Sequence, residues 1–191
     1  VHLLAYGARS YIGNQEHCSI EEAMRAIRET TQCDLLVCAH VNHPIRLDKK
    51  LQTALSFADG MEVLNFNYHG MRFPDSRGLY YCARIRRRKN NFFAFSGLDM
   101  HTTKKYQAIY CLLPQANRVV RQEIIENFSR GIFVSGSRFC LLRQEPYSAA
   151  HLGILYLGNL YVSFARRISR KVKRMVKFLK RSDRICRLYA S

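Results

Sequence analysis

Acidic residues are scarce in this chain. Its 191 residues include 14 Asp and Glu against 31 Lys and Arg, so the formal net charge at pH 7 is +17. So few carboxylates argue against an acidic metal cage and against a disordered acidic regulator. The basic excess indicates instead that the chain contacts something anionic, such as an acidic protein face or a nucleic acid.

The usual sequence signatures of catalysis are missing as well. The chain has no phosphate-cradling glycine-rich loop, no nucleophile elbow and no zinc-protease helix. Two His-x-Ser/Thr patterns, at His17 and His101, are the nearest approach to a two-histidine phosphoesterase, in which paired histidines act as general acid and base. Both patterns are short, and a helix-capping role accounts for Ser19 without catalysis. We therefore expect no intrinsic enzymatic turnover.

The seven cysteines are odd in number and lie mostly inside apolar runs. This placement favours a reduced, intracellular protein over a disulfide framework. Metal-ligating residue types fall close together at Cys33, Cys38, His40 and His43, but the two cysteines are expected to point to opposite faces of a strand. We expect buried thiols here rather than a zinc site, and we expect no cofactor.

Helical and strand patterns are interspersed along the chain. A capping box of Ser19 and Glu22 predicts the start of the first helix. Predicted helices occupy residues 20–31, 47–58, 117–128 and the region from 147 onward. Predicted strands occupy residues 2–6, 33–41, 61–68 and 106–113, with hairpins formed by 79–87 and 92–96 and by 132–142, the latter turning at 135–137. This order predicts a single α+β domain with a mixed, mostly antiparallel sheet and packed helices: a body over residues 1–164 and a C-terminal basic amphipathic helix over 165–191.

The C-terminal segment concentrates the charge. Residues 166–187 hold 11 of the 31 basic residues and one acid, Asp183, a net of +10. Apolar residues recur on one side of a 3.6-period helix, and basic residues fill the rest of its circumference. The apolar stripe is Ile168, Val172, Met175, Val176 and Leu179. The basic residues expected to meet a partner are Arg166, Arg167, Arg170, Lys171, Lys173, Arg174 and Lys177. We expect the stripe to dock on the domain or on a partner.

The preceding run, residues 147–164, contains no charged side chain. A spanning helix needs about 20 predominantly apolar residues, and this run is shorter and carries several polar ones. We therefore expect a buried helix or strand here, and no membrane partner.

A second basic patch lies on the predicted hairpin, close to four aromatic residues. It consists of Arg84, Arg86, Arg87, Arg88 and Lys89. Basic residues interleaved with aromatics can track a nucleic-acid backbone, so RNA or DNA is a candidate partner. A solvated hairpin tip explains the same residues without a partner.

A resemblance to a known family begins at residue 147. There the chain reads Tyr-Ser-Ala-Ala-His-Leu-Gly-Ile-Leu, and a basic amphipathic helix follows after a short apolar stretch. This arrangement resembles the adenovirus early region four 34-kilodalton protein family, which carries a Tyr-Ser-Ala-x-His-x-Gly-Ile-Leu segment and then an arginine-faced helix. The matching residues are Tyr147, Ser148, Ala149, His151, Gly153, Ile154 and Leu155. Fainter similarity at residues 2–10, 68–70 and 128–131 extends the resemblance over nearly all of residues 1–190.

The resemblance implies an adaptor rather than a catalyst. Members of this family are nuclear and pair with the viral early region one B 55-kilodalton protein. They recruit elongins B and C with a cullin, which makes a ubiquitin ligase that removes host defence and DNA-repair proteins. They also promote late viral mRNA export. A match to the elongin-binding box falls on Leu112, Ala116 and Val120, with Cys111 at its first position.

Two features of the chain bear on this implication. The family's dense Cys/His clusters, thought to hold zinc, are mostly missing, which supports the expectation of no metal. His151 and residues 153–155 are expected to be buried and structural, because they sit in an uncharged run with small residues. From the residues alone, three alternatives remain: a basic nucleic-acid-binding domain without the ligase role, a membrane-surface protein using the final helix, and a two-histidine phosphoesterase.

Overall fold

Seven strands and five α-helices make up the part of the chain that this computed structural model describes, namely residues 2–11, 19–39, 49–65, 73–97, 109–114, 120–137, 139–145 and 147–188. The strands are β1 (His2–Tyr6), β2 (Leu35–Ala39), β3 (Gly60–Asn65), β4 (Phe93–Gly97), β5 (Ile109–Leu112), β6 (Val134–Ser137) and β7 (Cys140–Leu142). The helices are α1 (Ile20–Thr31), α2 (Lys49–Ala54), α3 (Ser76–Arg86), α4 (Arg121–Arg130) and α5 (Ala149–Leu188), with a 3-10 turn at Leu55–Phe57. These elements form a single α+β domain, as the sequence predicts.

Sheet A contains the first four strands in the order β1-β2-β3-β4. The edge strand β1 is antiparallel to β2, whereas β2, β3 and β4 are parallel and are joined through α2 and α3. Every residue of β2 and β3 is buried. Continuous apolar strands of this kind occur where both faces of a parallel sheet are covered.

The two faces of sheet A bury different clusters. Leu36 and Cys38 of β2 pack with Met24 of α1 and Leu79 of α3 in the larger cluster. The opposite face carries Val37 and the aromatic rings of β4, which pack against Phe133 and the partly buried Phe128 of α4. The alternation of neighbouring β2 residues between clusters follows the two-residue period of a strand.

Sheet B is a three-stranded antiparallel sheet in the order β5-β6-β7. Three of the five strand pairings in the described residues are therefore antiparallel, although they are divided between two sheets. The hairpin predicted over residues 132–142 forms as β6 and β7. Its turn lies beyond Ser137, because residues 135–137 are themselves paired with both neighbouring strands.

The predicted strand at residues 79–87 is wrong, because this segment belongs to helix α3. The Asp75 side chain accepts a hydrogen bond from the Arg77 N–H at 3.1 Å and caps the helix N-terminus. Leu79, Cys82 and Ile85 are buried, so the apolar face has the three-residue spacing of a helix. The first helix, in contrast, has the predicted bounds and the predicted capping box.

Asp59 connects α1, sheet A and the segment before β4. Its carboxylate accepts hydrogen bonds from the Leu36 N–H at 2.8 Å and from Arg28, and it lies 3.5 Å from the Lys89 Nζ. Its own N–H donates to the Leu36 carbonyl, and its carbonyl accepts from the Phe93 N–H. One half-buried carboxylate thus satisfies three donors from different parts of the fold.

Asp59→Ala should lower the free energy of unfolding by roughly 2–3 kcal/mol, because it leaves the Leu36 N–H and two cations without their shared acceptor. Urea denaturation followed by circular dichroism measures the change. Glu126→Ala is the matched control, since Glu126 pairs with Arg130 at 3.1 Å on an exposed helix face. That variant should lose about 0.5 kcal/mol or less, and equal losses in the two variants would contradict the role assigned to Asp59.

Candidate partner-binding surface on the C-terminal helix

The segment that carries the family resemblance starts helix α5. Ser148 is its cap: the Ser148 Oγ accepts a hydrogen bond from the His151 N–H at 3.3 Å and lies 2.8 Å from His151 Nδ1. The Ser148 carbonyl accepts the first intrahelical bond from the Leu152 N–H. Tyr147 and Leu152 both pack against the larger core cluster, in the positions that a hydrophobic staple uses. The Ser148 hydroxyl therefore caps the N-terminus of α5 and also contacts the His151 ring.

One face of α5 is attached to the body. Leu155 packs against the core, and Asn159 forms two hydrogen bonds with the start of α3. Its Oδ1 accepts from the Ser76 N–H at 2.9 Å, and its Nδ2 donates to the Pro74 carbonyl at 3.0 Å. Gly158 lies against the Phe73 ring, where an added Cβ would come within 3.0 Å. The attached face thus combines apolar packing with a polar clamp.

The opposite face of α5 is apolar and exposed. We name it the outer stripe: Ile154, Leu157, Tyr161, Phe164, Ile168, Val172 and Met175, all exposed large hydrophobic residues. Ile154, Leu157 and Tyr161 are each 65% exposed, and Phe164 is 64% exposed. Leu152 on the attached face and Ile154 on the outer stripe are two residues apart, which separates them by about 200° around the helix axis. The outer stripe therefore points away from the body.

The basic half of α5 extends beyond the body. Arg166 is half-buried, and burial, followed by the nearby charge of Arg170, lowers its pKa. Every side chain described after it, from residue 167 to 176, is exposed. No acidic residue occurs between Phe164 and Ser182, and the like charges of Arg166, Arg170 and Arg174 at i, i+4 spacing repel one another.

Several expectations about this region need correction. The helix is continuous from Ala149, so residue 165 is not a structural boundary. His151, Gly153 and Ile154 are exposed, and Leu155 is half-buried, because the attached face takes only every third or fourth residue. Of the two expected docking sites for the predicted stripe, the domain is excluded over Ile168–Val176, whose apolar side chains are all exposed, and docking on a partner stays a prediction. The side chains of Lys177 and Leu179 lie outside the described part.

The sequence interpretation missed the first half of the outer stripe. It treated residues 147–164 as one buried run and began the amphipathic pattern at Ile168. The apolar spacing of three and four residues in fact continues without interruption from Ile154 through Tyr161 to Ile168. That continuity, together with the polar Asn159 on the other side of the same helix, is the signal that could have identified it.

The second basic patch divides into bound and exposed residues. Arg86 donates to the Gln144 carbonyl, and its guanidinium lies 5.4 Å from the centroid of the Phe93 ring. Lys89 donates to the Ala58 carbonyl at 2.6 Å and lies near Asp59. Arg84, Arg87 and Arg88 are exposed. The patch lies at the C-terminal end of α3 rather than on a hairpin tip, where basic residues also favour the helix dipole.

The other predicted groups are scattered. Cys33 and Cys38 belong to the larger core cluster, and burial raises the pKa of the Cys38 thiol to about 12. In the described residues, no three His, Cys, Asp or Glu side chains converge as metal ligands. The histidines of the candidate zinc and phosphoesterase groups lie outside the described residues: His17, His40, His43 and His101.

The elongin-box residues lie on different elements. Leu112 is the last residue of β5, and Val120 is the residue before α4; both are exposed. Ala116 lies outside the described residues. Leu112 and Val120 therefore do not share one helix face.

Comparisons with known protein families, with curated proteins and with solved structures find no match to this chain. The resemblance carried by residues 147–155 accordingly stays a prediction. Over the described residues, including the uncharged half of α5, no helix has the length and apolar content needed to cross a membrane.

Gly153 and Gly158 provide a matched pair on the two faces of α5. A Cβ at Gly153 would meet nothing within 4 Å, so Gly153→Ala should stabilise the protein by about 0.5–1 kcal/mol through helix propensity. Gly158→Ala gains the same propensity but pushes against the Phe73 ring, so its stability should be lower than that of the Gly153 variant. Thermal unfolding by circular dichroism compares them, and the reverse order would show that the faces are assigned wrongly.

Proposed function

We propose that this protein is a viral early regulatory adaptor that binds its partners through the exposed face of α5. Together with a viral early region one B 55-kilodalton-like protein, it recruits host elongins B and C and a cullin. The resulting ubiquitin ligase removes host defence and DNA-repair proteins, and the adaptor also aids late viral mRNA export. It acts in the host nucleus and cytoplasm, without a membrane partner and without enzymatic turnover of its own.

The observation that carries the proposal is the outer stripe. Large apolar residues scattered singly on a surface need no explanation, but a contiguous exposed stripe is typical of an interaction site. Here the stripe follows one side of a single helix for about six turns, from Ile154 to Met175. An amphipathic helix of this kind binds by laying its apolar side into a groove of a partner.

The charge of α5 restricts the partner's chemistry. Six basic residues and no acidic residue lie between Arg166 and Arg174, so this part of the helix is strongly positive. A partner with acidic residues around an apolar groove would cover the stripe and also relieve the repulsion between the arginines. These complementary features support a protein partner for this face, as the resemblance to the adaptor family implies.

Reversing three exposed charges on α5 tests the proposal. Arg167→Glu, Arg170→Glu and Arg174→Glu together should leave folding intact, because all three side chains are exposed. Capture of the viral partner by the tagged chain from co-expressing cells should fall by roughly tenfold or more, because the favourable charge contacts become repulsive. The matched control reverses the exposed Arg77, Arg84 and Arg88 of α3 and its end, which changes the net charge equally.

Capture that falls equally in the α5 variant and in the control would contradict a specific role for α5. Unfolding of the α5 variant, seen by circular dichroism, would show that the basic residues are structural. Elongins and the cullin are quantified in the same purifications by mass spectrometry. Their absence beside a captured viral partner would contradict the ligase part of the proposal.

Substitutions at two exposed apolar positions of α5 test the apolar contact. Val172 and Val176 are 46% and 42% exposed, so Val172→Asp with Val176→Asp should leave the fold intact rather than bury a charge. The same double variant should lose the partner, because carboxylates would replace the apolar contact. Size-exclusion chromatography and partner capture are measured together, and a folded variant that retains full capture would exclude Val172 and Val176 from the interface.

A basic nucleic-acid-binding domain is the second candidate function. It is favoured by Arg84, Arg87 and Arg88, which are exposed and have no side-chain partner among the described residues. Such binding would weaken steeply as salt rises, because each phosphate contact releases counterions. Saturable RNA or DNA binding by the isolated chain, with no effect of the α5 charge reversals on partner capture, would favour this candidate over the adaptor.

A further inference from the structure

A cleft of about 430 Å³ lies beside α3 and separate from the outer stripe. Its floor is apolar and comes from Leu79, Cys82 and Ala83 of α3 and Ala94 of β4. The Tyr147 side chain, at the start of α5, forms one side of it. A small concave site with an apolar floor and few polar groups is the usual form of a small-ligand pocket.

The wall of the cleft is held in place by hydrogen bonds. The Gln144 side chain pairs with the backbone of Ala94: its Oε1 accepts from the Ala94 N–H at 3.0 Å, and its Nε2 donates to the Ala94 carbonyl at 2.9 Å. Arg86 donates to the Gln144 carbonyl and stacks near the Phe93 ring. The cleft is therefore formed before a ligand binds, which reduces the entropic cost of binding.

The mouth of the cleft carries unused donors. Arg87 and Arg143 line it, both are exposed, and neither guanidinium has a hydrogen-bond or ion-pair partner among the described residues. Asn90 lines the mouth as well, and its amide also has no hydrogen-bond partner in the part of the chain that the structure describes. With Arg86, the lining has three arginines against one acid, Glu145. Guanidinium groups present paired donors that match the oxygens of a phosphate.

We propose that this cleft binds a nucleotide unit, with its phosphate at Arg87 and Arg143. The nucleoside then lies over the apolar floor beside the Tyr147 ring, and the Asn90 amide contacts an edge of the base. A bare phosphate would use the arginines but leave the floor uncovered, whereas an uncharged ring system would leave the arginines unused. A nucleotide covers the apolar floor and also pairs with the arginines. It can be a free mononucleotide or the 5′-terminal nucleotide of an RNA chain.

Isothermal titration of the full chain with AMP, adenosine and inorganic phosphate tests the site. AMP should bind at least tenfold tighter than adenosine or phosphate alone, because only AMP contacts both the floor and the arginines. Arg87→Ala with Arg143→Ala should weaken AMP binding by tenfold or more. The matched control is Arg84→Ala with Arg88→Ala, which removes the same amount of charge near the cleft from residues that do not line it. The affinity of this control for AMP should stay within twofold of that of the unchanged chain.

Two results would overturn the site: no saturable AMP binding by the unchanged chain, or equal weakening by the two double variants. A short RNA with a 5′-phosphate distinguishes the two sources of the nucleotide. If the 5′-phosphorylated RNA binds tighter than AMP, and an RNA with a 5′-hydroxyl does not bind, the cleft binds the 5′ end of an RNA chain. Binding of the RNA no tighter than AMP assigns it to a free nucleotide. Because the arginine variants leave α5 unchanged, failure here would not affect the adaptor proposal.

Discussion

The hydrogen bonds between Asn159 and the start of α3 determine which way the C-terminal helix faces. A helix can rest only one side on a body, and Asn159 fixes that side by binding the Ser76 N–H and the Pro74 carbonyl. Leu152 and Leu155 then pack against the core on the same side. The residues of the outer stripe lie on roughly the opposite side of the helix axis from this attached face, so they face outward. The exposure of the outer stripe is thus a consequence of how the helix is attached rather than a separate feature.

The second half of α5 has little to stabilise it in the isolated chain. Past Arg166 it makes no described contact that buries a side chain, and its basic residues repel one another. Helices without tertiary packing are marginal in water, so a partner that covers the stripe would stabilise this half. An acidic partner with an apolar groove would supply the missing packing and would also offset the repulsion between the basic residues. The cleft beside α3 differs in this respect, because Gln144 and Arg86 hold its wall without a ligand.

The sequence was most informative where a local signal coincided with the tertiary environment. The Ser19–Glu22 capping box predicts the start of α1, and the apolar run over residues 33–41 contains β2, Leu35–Ala39. In the α3 segment, the apolar residues Tyr81, Ala83 and Ile85 alternate with polar or small ones, which favours a strand. The capping residue Asp75 and the three-residue spacing of Leu79 and Cys82 favour the helix that the structure has. The apolar spacing of the stripe could be recognised from the sequence, but its outward orientation and the position of the cleft could not. Both depend on which distant residues, such as Asn159 and Gln144, reach their backbone partners.

Hydrogen–deuterium exchange of α5, with and without the proposed viral partner, tests the central claim most directly. In the free chain, amides near Leu155 and Asn159 should exchange slowly, and those of residues 167–176 should exchange rapidly, because only the first group lies in the attached part. Partner binding should slow exchange throughout residues 167–176. Slow exchange of these amides in the free monomeric chain, or no change when the partner binds, would contradict the account.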